Sequence, residues 1–421
     1  MKLIKRLLSG SQDLNEYILA LDVGTSFVKA LIVRLDFEHL KGYVVGVGRH
    51  AQSLGDMQSG AVSDIGRVVI NSQAAIDDAV KMAGVRPDQA IIGIAGELVK
   101  GTTTTAHYKR NKPDAKIDLP ELKNILHKVQ WKAFDQVRKD LSWETGMSEI
   151  DIKLINAAIV DVKIDGYRVT NPIGFQGKDV EIGIFNAYAP LVHLGALQTI
   201  ADELGLDLLS IAAEPYAVAR STGLEDAQEF SAIFIDIGGG TTDIAVVSNG
   251  VILGTKMFGL GGRAFTKRIA SALNTTFEEA EEIKLKYSNN KLDDNSEKKV
   301  SEIVVADAEV WLSGVELALS EFDQVELLPN KILLAGGGSK LPEIKKVLKN
   351  KTWYKNLPFS KAPNVSSMRI DNVVNIIDET GMLKDAQEIT PLGLANLALD
   401  IAGEESITSN ILRKVVKLMQ T

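Results

Sequence analysis

The sequence has no cysteine. No disulfide framework can staple the fold and no thiolate can hold a metal, a composition that fits a reducing compartment. Long apolar runs are missing as well: no stretch of about 18 residues reads as a membrane span. The five histidines, His39, His50, His107, His127 and His193, show no paired spacing, so all are read as structural or surface residues. Met1 to Leu8 hold too short an apolar stretch for a secretory signal, and no small-residue cleavage site follows. A Gly-x-x-x-x-Gly-Lys-Ser/Thr loop is absent too, which excludes a P-loop NTPase.

What is there reads as a folded chain. Its 421 residues are 45% hydrophobic and 24% charged, enough for two or three core-forming units. The net charge is −8, unevenly spread. Lys2, Lys5 and Arg6 at one end, and Arg413, Lys414 and Lys417 at the other, lie in acid-free stretches. The body between them is strongly acidic. That argues against nucleic acid bound on a broad basic face and leaves the termini to meet an anionic surface.

Hydrophobic spacing predicts strands at 18–22, 28–33, 43–48 and 91–94, with a helix over 63–82 whose inward positions include Val68, Val69, Ala75, Ile76 and Ala79. Residues 101–189 change character. A threonine run at 102–105 favours extended backbone. Asp118, with Glu121 three residues on, marks the start of a charged helix. Strands around 153–170 break at an Asp165-Gly166 turn, and Val180, Ile182 and Ile184 alternate as a half-buried strand does. Further helices are expected over 190–204, 263–287 and 298–321, with a polar loop at 287–297. A strand over 331–335 and a last core helix over 392–399 complete the pattern.

Two segments look alike. Ile18 to Asp22 lead into Val23-Gly24-Thr25-Ser26 and a return through Lys29. Ala232 to Asp236 lead into Ile237-Gly238-Gly239-Gly240-Thr241-Thr242-Asp243. Each is an apolar strand, an Asp-x-Gly, a turn of small residues and a returning strand, the pattern of a duplicated hairpin. Glycine lets successive N–H groups line one concavity that suits phosphate oxygens, and Thr25, Ser26, Thr241 and Thr242 add hydroxyl donors. Asp22 and Asp236 are placed to hold Mg²⁺ directly or through water, since Mg²⁺ takes oxygen ligands and keeps part of its hydration shell. Facing each other across a cleft, two such turns clamp a polyphosphate. One Asp-x-Gly alone is an ordinary hairpin; two in register are not.

Other features fit that cleft while keeping plainer alternatives. Gly336-Gly337-Gly338-Ser339 after a strand admits a base or ribose, and is equally a tight strand-to-helix turn. Glu281 and Lys284 share a helix side and suit ribose hydroxyls, or form a solvated ion pair. Glu214, before Pro215 at a helix start, can orient an attacking water, or simply be an acid favoured by the helix dipole.

Together these residues resemble the five-motif nucleotide site of actin, heat-shock chaperones and hexokinase-type sugar kinases. Within that superfamily the chain most resembles FtsA, through Ile94-Ala95-Gly96, Asn171-Pro172-Ile173-Gly174-Phe175-Gln176-Gly177, the run Glu279 to Lys284 and the unit inserted at 101–189. After Gly261-Gly262 the family usually has a Thr-x-Asp step; here Thr266-Lys267-Arg268 stands.

The resemblance implies an α/β, actin-like two-lobed fold around an ATP cleft. Residues 17–100 and 190–230 would form the first lobe, 101–189 an inserted small α+β subdomain, and 231–270 with 330–399 the second lobe. Residues 271–329 would be a helical subdomain carrying the partner surface. The implied cofactors are ATP and Mg²⁺. The nucleotide contacts would be Asp22, Gly24, Thr25, Ser26, Lys29, Asp236, Gly238, Gly239, Gly240, Thr241, Thr242, Asp243, Gly261, Gly262, Glu281, Lys284, Gly336, Gly337, Gly338 and Ser339. Asp22, Glu214 and Asp236 would serve any hydrolysis; their presence sets no rate, and the chain is expected to be at most a slow ATPase.

The implied role is a self-associating division protein that attaches filaments of FtsZ to the cytoplasmic face of the membrane at the septum. The ends suit this. A linker at 400–410 precedes residues 411–421, where Ile411, Leu412, Val415, Leu418 and Met419 share a helical face away from the bases. Residues 1–16 would form a similar basic amphipathic segment, with a stripe at Leu3, Ile4, Leu7 and Leu8; the alternative for either stripe, above all the N-terminal one, is that it docks onto the body. Alternatives are an adaptor like PilM of type IV pilus assembly and a sugar kinase of the same superfamily.

Overall fold

The computed structural model describes residues 16–145, 152–169, 171–223, 230–322, 325–350 and 352–403. Residues 1–15 and 404–421, where both amphipathic segments are expected, lie outside the described residues.

Two sheets organise the chain, and the sequence duplication reappears in their topology. In the first, strands run in the order Asp207–Ala213, Gln89–Ile94, Tyr17–Val23, Phe27–Asp36 and Lys41–Ala51, with Ile376–Asp378 added at the edge. In the second, Asn364–Ser367, Lys331–Ala335, Ala232–Ile237, Thr242–Ser248 and Val251–Phe258 take the corresponding places. Each set has a central strand paired parallel on one side and antiparallel, through its own hairpin, on the other. Asp22 pairs with Lys29 in the first hairpin and Asp236 with Asp243 in the second. Both aspartates therefore sit at the ends of equivalent central strands.

These strands are buried on both faces, which explains their continuous apolar runs. Ile233, Ile235 and Ile237 enter one core with Phe265, Ile269 and Trp311. Ala232 and Phe234 face the opposite way, into a core shared with the first sheet and with the helices Glu214–Arg220 and Ile389–Gly403. That last helix is apolar all round because it is covered on every side: Ile389 through Leu399 are all buried.

The region 101–189 extends the second sheet. Its strand Lys100–Lys109 pairs with Val251–Phe258 through Gly254–Thr102 and Thr255–Gly101, and Asp179–Pro190 and Ile152–Ile164 follow. The helix Leu119–Thr145 closes a small core of Leu122, Ile125 and Leu126 against Val162, Ile164, Val180, Ile182 and Ile184. Asp118 accepts the Glu121 N–H at 2.9 Å, and Glu121 in turn receives buried Arg110 through two bonds of 2.9 Å.

Three local expectations are corrected. The helix over 263–287 is two helices, Gly262–Leu273 and Phe277–Ser288, because Asn274 takes a left-handed φ of 53° and Thr276 with Glu279 builds a capping box. The helix expected from 298 begins at Asp294, since Asp293 caps it by accepting the N–H groups of Asn295 and Ser296. Residues 400–403, expected in a linker, complete the last helix, where Arg220 Nε reaches Asp400 at 2.9 Å.

Candidate functional site

The two hairpin turns face each other and touch. A methyl group added at Gly239 would overlap Ser26 Oγ, and one at Gly240 would lie 2.6 Å from Thr25 Oγ1. Neither residue has a positive φ. Close approach across the cleft, rather than a left-handed backbone, is what demands glycine there.

Four carboxylates collect around this contact: Asp22, Glu214, Asp236 and Asp243, all buried. Lys29 Nζ binds Asp22 at 2.9 Å and the carbonyl of Gln387 at 2.8 Å. Burial acts to lower the Lys29 pKa, but attraction to Asp22 and then Glu388 outweighs it, so the ammonium is held above its ordinary value. Among the described residues Asp236 has no such cation bonded to it. Its bonded partner is the Thr390 hydroxyl, and burial pushes its pKa up to about 6. Glu214 and Asp243 are pushed well above the carboxylate range, first by burial and then by the neighbouring acids. Asp243 Oδ2 accepts from Thr241 at 3.2 Å, while its buried Oδ1 has no hydrogen-bond partner.

An uncompensated cluster of buried carboxylates is costly unless a cation joins it. Among the described residues no three Asp, Glu or His side chains are arranged to hold a metal by themselves. An all-oxygen set of buried carboxylates, one with an unpartnered oxygen, suits the chemistry of Mg²⁺, which takes oxygen ligands and keeps much of its own water shell. The orphaned Asp243 oxygen and the raised Asp236 fit such an ion.

The other expected residues gather around the second turn. The N–H groups of Gly262 and Arg263, at the start of their helix, donate to the carbonyls of Gly238 and Gly239 at 2.9 and 2.8 Å, and Gly261 packs against the same peptide. Lys284 is buried, not solvated: its Nζ donates to Gly262 O, Thr266 Oγ1 and Glu281 Oε2 at 3.1, 2.8 and 2.8 Å. Gly336 follows the strand Lys331–Ala335, the parallel neighbour of the Asp236 strand. Its φ is 77°, and a methyl there would overlap Asp236 Oδ1, so position 336 requires glycine on both counts. Gly338 lies against Ile237, and Ser339 Oγ donates to Gly336 O at 2.7 Å.

One residue departs from expectation. The Thr242 hydroxyl donates to Leu260 O at 2.7 Å and accepts Trp311 Nε1 at 2.9 Å, so it anchors the core behind the turn and is not a free donor to the cleft. Sequence reasoning also missed Thr390, Gln387 and Glu388. They lie some 150 residues beyond the second hairpin in a segment without a recognisable motif, and only the fold brings them to the site.

With this geometry in place, comparison with known proteins shows what the chain is similar to. A family model described as cell division protein FtsA matches residues 233–379. The cell division protein FtsA of Pseudomonas aeruginosa is 28% identical over 344 residues, covering 77% of this chain and 78% of that protein. The chain is similar to cell division protein FtsA. The FtsA of Bacillus subtilis is 26% identical, with 69% of this chain and 62% of that protein aligned, and the FtsA of Neisseria meningitidis serogroup B is 30% identical over 64% and 61%. Among solved structures, the PilM-PilN type IV pilus biogenesis complex superposes with a TM-score of 0.64 at 17% identity, over 92% of this chain and 98% of that one. The FtsA-like chain thus has the actin-like α/β fold. Its family match takes in Asp236, Gly261, Glu281, Lys284 and Gly336, while Asp22 and Glu214 lie outside it. No helix among the described residues is long and apolar enough to cross a membrane.

Proposed function

We propose that this chain is an ATP-binding, self-associating division protein that tethers FtsZ filaments to the cytoplasmic face of the membrane. The observation that carries the ATP assignment is the meeting of the two duplicated acidic turns at one buried carboxylate cluster. The family likeness carries the division role.

In this reading the backbone amides of the Gly24–Ser26 and Gly238–Thr241 turns, with the Thr25, Ser26 and Thr241 hydroxyls, hold the phosphates. Asp22 and Asp236 hold Mg²⁺, directly or through water, and Asp243 lies beside them. Bound Mg²⁺ would neutralise phosphate charge. Glu214 orients a water; burial and the neighbouring acids make its carboxylate more basic than usual, so in its ionised form it can accept that water's proton. Glu281 and Lys284 face the ribose, and the Gly336–Ser339 turn receives the base. A site so crowded with acids suits slow turnover, as in a nucleotide-governed switch.

The terminal segments supply membrane contact. Each base contributes about 1 kcal/mol at an anionic surface, so one short helix binds weakly and a filament of subunits binds firmly through avidity. Sedimentation with anionic liposomes and purified FtsZ tests the role. FtsZ should pellet with the vesicles only when this chain and ATP are present, and removal of residues 411–421 should weaken it. Pelleting that needs neither ATP nor the terminal segment would overturn the proposal. The PilM likeness supports a second reading, a pilus-assembly adaptor, which predicts binding of a pilus-assembly peptide and no co-pelleting with FtsZ.

A further inference from the structure

Arg263 lies one residue beyond Gly261-Gly262 and is buried. Its guanidinium crosses from the second sheet's side to the loop that follows Lys41–Ala51. There it donates to three main-chain oxygens: Gln52 O at 2.9 Å, Ser53 O at 3.1 Å and Met57 O at 3.4 Å. Among the described residues no carboxylate is bonded to it; Glu281 and Asp56 act on its charge only from a distance. A buried arginine spent entirely on carbonyls is an expensive way to fill space, so what it joins matters.

It joins the two phosphate turns. On one side the Arg263 N–H is bonded to Gly239 O at 2.8 Å, within the second turn. On the other, Gln52 grips the first turn twice: its N–H donates to Ser26 O at 2.9 Å and its side-chain amide to Gly24 O at 3.0 Å. The receiving loop is itself ordered. Asp56 accepts the Ser53 N–H and the Asn71 amide, both at 2.8 Å, and Asn71 also donates to Gln52 Oε1 at 3.0 Å. A continuous path of backbone and hydrogen bonds therefore runs from turn to turn through Arg263 and Gln52, beside the contact of Gly239 with Ser26.

We propose that Arg263 is an interlobe latch that holds the two turns together and sets how fast nucleotide enters and leaves between them. This rests on the ATP reading above for its ligand, but not for the latch itself. Phosphates can enter between turns in contact only if those turns part, and the guanidinium bonds are the links that can break without unfolding either hairpin.

The chain's lack of cysteine makes the test clean. A Cβ at Gly259 would lie 3.2 Å from that of Ser59 across the same junction, a little inside the usual Cβ separation of a disulfide, so Ser59→Cys with Gly259→Cys places the only two thiols of the protein where a small shift lets them bridge. In the absence of nucleotide, the disulfide should form about tenfold more slowly when Arg263→Gln is added, and at an intermediate rate with Arg263→Lys. A thermal melt checks that each variant is folded, and Arg263→Lys stands in if Arg263→Gln is not. Unchanged cross-linking rates in folded variants overturn the latch. In proteins without the added cysteines, stopped-flow exchange of a fluorescent ATP analogue should be about tenfold faster for Arg263→Gln. Unchanged exchange overturns the gating role. If neither protein binds the analogue, the ATP reading falls and gating with it, while the cross-linking result still judges the latch.

Discussion

The two hairpins share a topology and differ in chemistry. In the first, Asp22 is neutralised within its own hairpin by Lys29, its cross-strand neighbour. In the second, the neighbour of Asp236 is another acid, Asp243. The strand after the first hairpin's partner, Gln89–Ile94, leads into Ala95, whereas its counterpart Lys331–Ala335 leads into Gly336, pressed against the Asp236 carboxylate. Duplication supplied two equal scaffolds. Divergence made one turn electrically satisfied and left the other short of a cation.

The comparison can be broken most forcefully at Gly336. Gly336→Ala should destabilise the protein by about 3 kcal/mol or more, since it combines a positive φ with overlap on Asp236, while Ala95→Gly should cost about 1 kcal/mol or less. Denaturant midpoints measure both. Next come the aspartates, with effects of opposite sign. Asp236→Asn should stabilise the unliganded protein at pH 7 by up to about 3 kcal/mol, the equivalent of a shift from 3.8 to about 6. Asp22→Asn should destabilise it by about 1–2 kcal/mol, because buried Lys29 loses its partner.

The same asymmetry has a pH signature. Asp236 holds its proton more tightly folded than unfolded, so the native state binds more protons between about pH 4 and 6. Its contribution is fully present below the unfolded value and is lost as pH rises through about 6. Thermal melts of wild type against Asp236→Asn should converge below pH 4 and separate above 6. The smallest expected effect is at Thr390→Val, which removes the hydroxyl favouring ionised Asp236 and should move that transition upward by less than about one pH unit.

Much of this was legible in the chain. The apolar runs ending in Asp-x-Gly gave both central strands, and the Gly336 turn was visible as glycine after a strand. The alternation at Val180, Ile182 and Ile184 marked its strand. What could not be read depended on distance along the chain. Thr390 and Gln387 carry no local pattern, and Arg263 looks like one more charged residue at a helix start until its three carbonyl partners are seen. Thr242 misled because a threonine beside glycines resembles a phosphate ligand, and only Trp311 shows that its hydroxyl faces the core. The break at Asn274 was hidden by helical spacing that continues across it. The joining of the 101–189 strands to the second sheet rests on two residue pairs at Gly101 and Thr102.

The central claim is that one Mg²⁺-bound polyphosphate lies between turns from both halves of the molecule. Titration calorimetry of ATP with Mg²⁺ into wild type, Asp22→Asn and Asp236→Asn tests it most directly. Each substitution alone should weaken binding by about tenfold or more, and removal of Mg²⁺ should bring the three proteins close together. Wild-type affinity retained in either variant, with the Mg²⁺ dependence intact, would contradict it.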